Sequence, residues 1–364
     1  GLSGVIDGRC IQGENFQAHS LLRKTLRGRV DCAYFDPPYN TGKDDFIYKD
    51  AYRHSSWLTM MHDRLRLTKS ILRGAGVIGV SADDNEVSRL RLLLRSMADH
   101  LGTLIIQTAT DNNPTQVNTE HEYMTVFAKD KSVQGKWFGP SKEAEKIIEK
   151  YNEIKQKTGN KPDEIQVRLR DWIDENEDEL SGATHYDNVD EKGVFHDGDI
   201  ANTKFGGPKY EVIHPDTGKP VKVPDKGFRF TEETMNDMIK NNDIMFGSDE
   251  TILPKPKVRI ENKTDALKSV IYEDGRGSTK ELESMFYRDV FKNPKSKNIL
   301  GRFFVFTTRS HGTVIDYFAG SGTTGHAVMH LNREYDESKR RYVMIEMGDY
   351  FDTVLMPRLK KVAF

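Results

Sequence analysis

Asp36-Pro37-Pro38-Tyr39 brings together residue types that point to one chemistry in this 364-residue chain. The four follow Val30 to Phe35 (VDCAYF), a short apolar, β-rich run, so the pattern predicts a buried strand that stops at a loop. Two prolines fix φ and bar helix continuation there. An acid, a carbonyl that no helix can claim and an aromatic ring then meet at one point. That set suits an exocyclic amine on a planar base, such as N6 of adenine, whose lone pair is delocalised into the ring. If Asp36 and the Pro37 carbonyl accept its two N–H bonds, electron density localises on nitrogen, and Tyr39 stacks on the base. Such a base must first be swung out of a duplex. Attack on a sulfonium methyl is then mainly a matter of proximity and orientation, and aromatic faces at Phe318 or Tyr39 suit the cationic donor.

A second constellation lies near the other end. Gly320-Ser-Gly-Thr-Thr-Gly325 fits GxGxxG between a strand, Thr313 to Phe318, and a helix running to Asn332. Glycines let the backbone approach a ligand, and a helix N-terminus favours polar or anionic groups. Glu346 ends the next strand, where a carboxylate can accept hydrogen bonds from ribose hydroxyls. Dinucleotide and S-adenosyl-L-methionine enzymes share that geometry. An NAD-dependent oxidoreductase predicts an N-terminal βαβ unit with an acid about 20 residues past the glycines. Here the turn is C-terminal, Glu346 lies 26 residues after Gly320, and the oxidoreductase reading leaves Asp36 to Tyr39 unexplained.

Elements that position these residues follow from periodicity. A helix is expected over Ser55 to Leu72, a buried strand over Val77 to Ser81, a helix from about Asp83 to Met97, and strands at Thr103–Gln107, Tyr123–Ala128 and Arg341–Glu346. Strands alternating with helices predict an α/β fold with a parallel sheet. From about residue 136 the texture changes to a charged helix (Lys142 to Lys157), an acidic run (Asp171 to Glu179) and a stretch rich in Gly, Pro, Asn and Asp. This predicts three parts: 1–135 and 286–364 as one split α/β domain, and 136–285 as an α+β insertion.

Charge is distributed unevenly. The net charge of −2 lacks the basic footprint usual for a nucleic-acid partner. Residues 136–285 carry 24 basic and 32 acidic side chains, however, which leaves the rest of the chain at +6. Within the insertion, Lys204, Lys209, Lys222, Lys226 and Arg229, with Lys255, Lys257 and Arg259, are candidates for a local basic face. Two cysteines without metal-ligand spacing argue against a zinc site or a disulfide framework, and no metal is expected. With no 18-residue apolar run and no signal-peptide pattern, a soluble cytoplasmic protein without a membrane partner is expected.

At this point the sequence resembles the β group of DNA amino-methyltransferases, with the DPPYNTG segment (36–42) first and DYFAGSGTTG (316–325) last. GENFQ (13–17), FIYKD (46–50), HSSWL (54–58), HEYMTVFAK (121–129) and FKNP (291–294) are similar to the modification (Mod) subunit of type III restriction-modification systems, and looser matches fall in the insertion. The resemblance implies a Rossmann-like, S-adenosyl-L-methionine-dependent methyltransferase sheet carrying an inserted target recognition domain. It implies that Asp36, Pro37, Pro38 and Tyr39 hold the target base. By the same resemblance Asp36, Asp316, Phe318, Gly320, Gly322 and Thr323 line the methionine side of the cofactor, and Glu346 takes its ribose. Lys292 and Asn293 help close that pocket, and Glu14 and Asn15 lie near it. The implied activity is site-specific N6-adenine methylation of double-stranded DNA within a restriction-modification system, often in a homodimer that can partner a restriction (Res) subunit. N4-cytosine methylation is the alternative on the same fold, and Asp in place of Ser at position 36 favours adenine.

Plainer roles are expected for other residues. Trp57 on its amphipathic helix reads as core. His54 and His121 read as structural hydrogen-bonding residues, and Asp83, Asp84 and Glu86 as helix-capping acids.

Overall fold

The computed structural model describes residues 8–41, 52–107, 117, 119–273 and 275–363. Gly42 and the FIYKD segment at 46–50 lie outside the described residues. The chain forms two units: 1–138 with 266–364, and 139–265.

The first unit is built on an eight-stranded sheet: β1 (Gly8–Gln12), β2 (Val30–Phe35), β3 (Leu72–Ala82), β4 (Asp99–Gln107), β5 (His121–Ala128), β6 (Val270–Tyr272), β7 (Thr313–Asp316) and β8 (Arg341–Glu346). Their spatial order is β1-β8-β7-β2-β3-β5-β4-β6. All neighbours are parallel except β5, which runs antiparallel to both β3 and β4. The expectation of a wholly parallel sheet is corrected here. β5 lies directly between β3 and β4, its two nearest predecessors in the chain, and reverses against both.

Helices cover both faces, as continuous apolar strands require. Neighbouring residues alternate between two cores: Val314 and Met344 face one, Ile315 and Ile345 the other. On the second face lie α1 (Asn15–Leu26), α2 (His54–Ile71) and α3 (Val87–Arg95), the last two inserting Trp57, Met61, Leu65, Leu90 and Leu94. After β6 come α4 (Gly275–Met285), α5 (Lys297–Thr307), α6 (Thr323–Glu334) and α7 (Met356–Ala363). The last three supply Phe303, Phe304, Ala327, Leu331 and Leu359 to the first core.

From β7 the chain moves one way along the sheet to β8, and from β2 it moves the other way to β3. The carboxyl ends of these adjacent strands therefore form a topological switch point, where open α/β sheets bind ligands. Asp316 is in register with Tyr34, two residues before Asp36.

Residues 266–285, which composition places with the insertion, belong to the first unit. Val270–Tyr272 pairs in parallel with Ile105–Gln107, so the chain rejoins the sheet about twenty residues earlier than its charged texture suggests.

The second unit has its own cores. One lies under helices Lys142–Thr158 and Pro162–Glu175, and the other surrounds Phe228, Met235 and Ile244. Its small antiparallel sheet includes Gly193–Asp197 and Lys255–Arg259.

Candidate active site

The loop after β2 is held from several sides. The buried Trp57 indole donates to the Pro38 carbonyl at 2.8 Å, which confirms Trp57 as core and gives it a second role in fixing the turn. Asn40 adopts φ 60° and donates to Glu86 Oε1 at 2.6 Å. His54 Nδ1 meets the same oxygen at 2.6 Å. The capping role expected for Glu86 is therefore corrected. Its side chain makes no cap bond and instead braces the Asp36 loop from beneath, whereas Asp83 does accept from the Asn85 amide at 3.0 Å. His121 donates to or accepts from Tyr123 Oη at 2.7 Å, a structural contact.

Asp36 is gripped by one oxygen. Tyr39 Oη lies 3.2 Å and Lys295 Nζ 3.4 Å from Asp36 Oδ1, and the one phenolic proton goes to the nearer acceptor, Glu122. Asp36 Oδ2 and the Pro37 carbonyl have no hydrogen-bond partner among the described residues. Glu122 Oε2 accepts from Tyr39 Oη at 2.8 Å and from Lys295 Nζ at 2.5 Å. Burial pushes the Asp36 carboxyl above its ordinary range, while Lys295 pulls it back. Burial alone would lower the Lys295 ammonium, but Asp36 and Glu122 outweigh it, so the group titrates above its ordinary value.

The glycine turn follows β7. Gly320 (φ 54°) and Gly322 (φ 82°) occupy left-handed conformations that favour glycine. Helix α6 begins at Thr323, which places Gly325 inside the helix. A Cβ there would lie 2.7 Å from Leu359 and 2.8 Å from Met344, so the third glycine serves close helix–strand packing. Asp316 stitches the turn together: Oδ1 accepts the Phe318 amide at 3.0 Å and Oδ2 accepts the Thr324 hydroxyl at 2.6 Å. Burial, with further pressure from Asp36 and Glu346, pushes its carboxyl up to about 7. Glu346 clamps the other side, with Oε2 accepting the Gly320 amide at 2.8 Å and Oε1 the Met347 and Gly348 amides at 2.7 and 2.8 Å. Phe318 is buried beside Phe35.

The remaining expected residues gather around this turn or at the end of β1. A Cβ on Gly320 would lie 3.4 Å from the Phe291 ring, so the segment carrying Lys292 and Asn293 passes over the turn. Glu14 caps α1 by accepting from the Gln17 amide at 3.0 Å and pairs with Arg64 at 2.6 Å. Asn15 donates to the Tyr317 carbonyl at 3.0 Å and accepts from Arg64 Nε at 2.5 Å. Glu14 and Asn15 are thereby tied to the strand end that leads into Phe318.

Sequence reasoning missed four members. Lys295 follows the FKNP match by one residue and Glu122 lies inside HEYMTVFAK, so position offered a signal for both. Arg64 offered none. Arg358 offered none either; it is fully buried and donates to Ser321 Oγ and Thr323 Oγ1 at 2.9 Å each.

A cationic cofactor fits these residues. Asp36 and Glu346 both act to raise the Asp316 carboxyl, and Asp316 and Glu346 hold the glycine turn flanked by Phe318. A sulfonium and an amino-acid ammonium would relieve that crowding.

In the second unit, Lys257 and Arg259 are engaged by Asp190 at 2.9 and 2.6 Å, and Lys255 pairs with Asp197. Those three do not form the expected basic face. Lys204, Lys209, Lys226 and Arg229 are exposed on two loops tied back to back, where the Asn202 amide bonds Gly227, the Gly207 amide bonds Lys226 and the Phe228 amide bonds Pro208. Phe205 stands 79% exposed between them. No group of His, Cys, Asp and Glu suited to a metal ion occurs among the described residues, nor any helix long and apolar enough to cross a membrane.

The family model described as DNA methylase matches residues 30–355. The chain is 31% identical to the type III restriction-modification enzyme EcoP15I Mod subunit of Escherichia coli, over 93% of this chain and 58% of that one. It is 26% identical to the StyLTI Mod subunit of Salmonella typhimurium, over 92% and 51%. To the type II methyltransferase M.KpnI of Klebsiella pneumoniae it is 23% identical, over 92% and 79%. The chain thus spans little more than half the length of these type III relatives. Among solved structures, it is similar to the PvuII DNA methyltransferase (cytosine-N4-specific), with TM-score 0.49 and 9% identity over 99% of this chain and 91% of that one.

Proposed function

Because the chain belongs to the DNA methylase family, we propose that it transfers a methyl group from S-adenosyl-L-methionine to N6 of a flipped-out adenine in double-stranded DNA. The observation that carries this reading is the half-held carboxylate: Asp36 Oδ1 faces Tyr39 and Lys295 while Oδ2 points to no partner among the described residues. An exocyclic amine placed there would donate one N–H to Oδ2 and the other to the Pro37 carbonyl. Its nitrogen lone pair is then free of those bonds and directed at a third position. The Tyr39 ring, whose hydroxyl meets the Lys295 ammonium at 2.6 Å, offers a face for stacking. Asp36 holds the proton that leaves the nitrogen, and burial that raises its carboxyl favours that acceptance.

The cofactor, when bound, supplies an electrophilic methyl on a positively charged sulfur. Gly320, Gly322 and Thr323 would hold its amino-acid end, and Asp316, Phe318, Lys292 and Asn293 would surround it. Glu14 and Asn15 would border the same pocket. Glu346 would meet the ribose through its carboxylate oxygens, which also accept the Gly320, Met347 and Gly348 amides. The second unit would read the DNA sequence, with Lys204, Lys209, Lys226 and Arg229 meeting phosphates. Similarity to Mod subunits supports placing the protein in a restriction-modification system with a Res partner, in the cytoplasm of a prokaryotic cell; we further propose that it acts as a homodimer.

Incubation with tritiated S-adenosyl-L-methionine and plasmid DNA, followed by digestion to nucleosides, tests the reading. Label is expected in N6-methyl-2′-deoxyadenosine; label in N4-methyl-2′-deoxycytidine would overturn the choice of base. Asp36→Ala is expected to abolish transfer and keep cofactor binding, and an active Asp36→Ala protein refutes the assigned mechanism.

A further inference from the structure

The Lys295 ammonium meets groups from two separate elements. It lies 2.6 Å from Tyr39 Oη and 3.4 Å from Asp36 Oδ1 on the loop after β2, and 2.5 Å from Glu122 Oε2 on β5. Lys295 itself comes from the segment ahead of α5. We propose that Lys295 is the counterion that holds Asp36 in its ionised, amine-accepting form, and that Glu122 balances Lys295 and fixes the Tyr39 hydroxyl. The proposal rests on the methyl-transfer reading and names two positioning residues for that same site.

The reason is the protonation state that the chemistry needs. An ionised Asp36 offers Oδ2 as an acceptor, whereas a protonated one can present a competing O–H donor. Among the described residues, five groups face this carboxylate: Tyr34 on β2, Tyr39 on the following loop, Glu122 on β5, Asp316 on β7 and Lys295. Burial and Glu122 drive Asp36 toward its neutral form. Both phenols are pushed well above their ordinary value by burial, so they remain neutral and supply no charge. Of the five, Lys295 is the cation. A compact ammonium with three rotatable N–H bonds can serve Glu122, Tyr39 and Asp36 together, where a planar guanidinium is committed to one plane.

A bridge that only tied the chain together would shift no titration in a set direction. The proposed roles predict opposite shifts. Single-turnover methyl transfer would be followed against pH for the wild type, Lys295→Met, Lys295→Arg and Glu122→Gln. The same proteins, labelled at aspartate Cγ, would be titrated by NMR, with the Asp36 signal assigned by its loss in Asp36→Asn.

Lys295→Met is expected to move the acid limb and the Asp36 signal up by about 1–2 pH units, the usual effect of losing an adjacent opposite charge. Glu122→Gln is expected to move both down by about one unit, since it removes a like charge. Lys295→Arg should return most of the Lys295→Met shift. Asp316 is unchanged in all four proteins and adds the same titration to each. Calorimetric cofactor affinity should stay within about twofold of wild type, well under the ~1.4 kcal/mol of a tenfold change.

Shifts that are absent, or that share one sign in Lys295→Met and Glu122→Gln, overturn the proposal. If Lys295→Met fails to fold, a downward shift in Glu122→Gln supports the proposal and an unmoved Asp36 signal refutes it. Opposite NMR shifts in a wild-type background that transfers no methyl group would uphold the charge pair and defeat the methyl-transfer reading instead.

Discussion

Arg358→Met separates stability from geometry at the glycine turn. Arg358 is fully buried, and burial lowers its guanidinium from the ordinary arginine value to about 10. At about 1.36 kcal/mol per pH unit, keeping that charge in the interior costs roughly 3 kcal/mol. Against this stand bonds to Ser321 Oγ and Thr323 Oγ1 at 2.9 Å each and a bond to His326 Nδ1 at 3.2 Å, while the ion pair with Glu281 at 3.6 Å already enters that cost. Charge-assisted bonds are each worth about 1.5–3 kcal/mol. Methionine keeps the unbranched shape and removes both the cost and the bonds. Ser321 and Thr323 retain each other at 3.3 Å, whereas His326 Nδ1 is left without its donor. One orphaned buried acceptor costs about 1–3 kcal/mol, and this becomes the expected net loss rather than the sum of every deleted bond. Urea unfolding should show that loss as a lower midpoint with an unchanged slope. The turn, no longer clamped at Ser321 and Thr323, should bind S-adenosyl-L-methionine at least tenfold more weakly by calorimetry, about 1.4 kcal/mol. Unchanged affinity beside a loss of stability would show that Arg358 braces the fold and not the turn, and the reasoning would fail.

Gly322→Ala forces φ 82° on an L side chain whose Cβ would lie 3.2 Å from Leu355. A stability loss of about 1 kcal/mol or more is expected, with weaker cofactor binding, and a thermal melt with and without cofactor checks both. Asp316 titrates near 7 when folded against an ordinary 3.8. The native state then binds a proton that the unfolded chain has released, so stability falls as pH rises from about 4 to 7 and levels off above. Denaturant midpoints across that range should fall for the wild type, and the slope attributable to this residue should vanish in Asp316→Asn. Lys204→Ala and Lys226→Ala should each weaken DNA binding and reduce the logarithmic salt slope by about 1, whatever the sequence bound.

The strands and helices of the first unit were legible where apolar periodicity was strong. Val30–Phe35 and Arg341–Glu346 are buried along nearly their whole length, and a run of that kind between turn residues has few other solutions. Direction was not legible, because an apolar run such as His121–Ala128 serves a parallel or an antiparallel neighbour equally well. The three-residue strand Val270–Tyr272 escaped for a different reason. Two of its residues are exposed, and it carries too little apolar patterning to stand out from the charged stretch around it. The site was legible in proportion to how unusual its residues are for their position. Pro-Pro and clustered glycines announce backbone geometry that ordinary packing does not require. Arg358, Lys295 and Glu122 are common surface residue types, and only the fold shows which charges have been taken out of water.

That distinction also recasts the acidic balance of the inserted part. Net charge counts Lys255, Lys257 and Arg259 as available for DNA, yet each faces an aspartate inside the second unit. It likewise counts the acids that neutralise them as repulsive. Once such internal pairs are set aside, Lys219 with Glu250 among them, residues 200–230 hold five basic and three acidic side chains. Lys204, Lys209, Lys226 and Arg229 among them are exposed on loops that share backbone hydrogen bonds. Counterion release depends on how many cations reach phosphates together and not on the sum over the domain, so a unit of negative total charge can still present a surface that binds DNA.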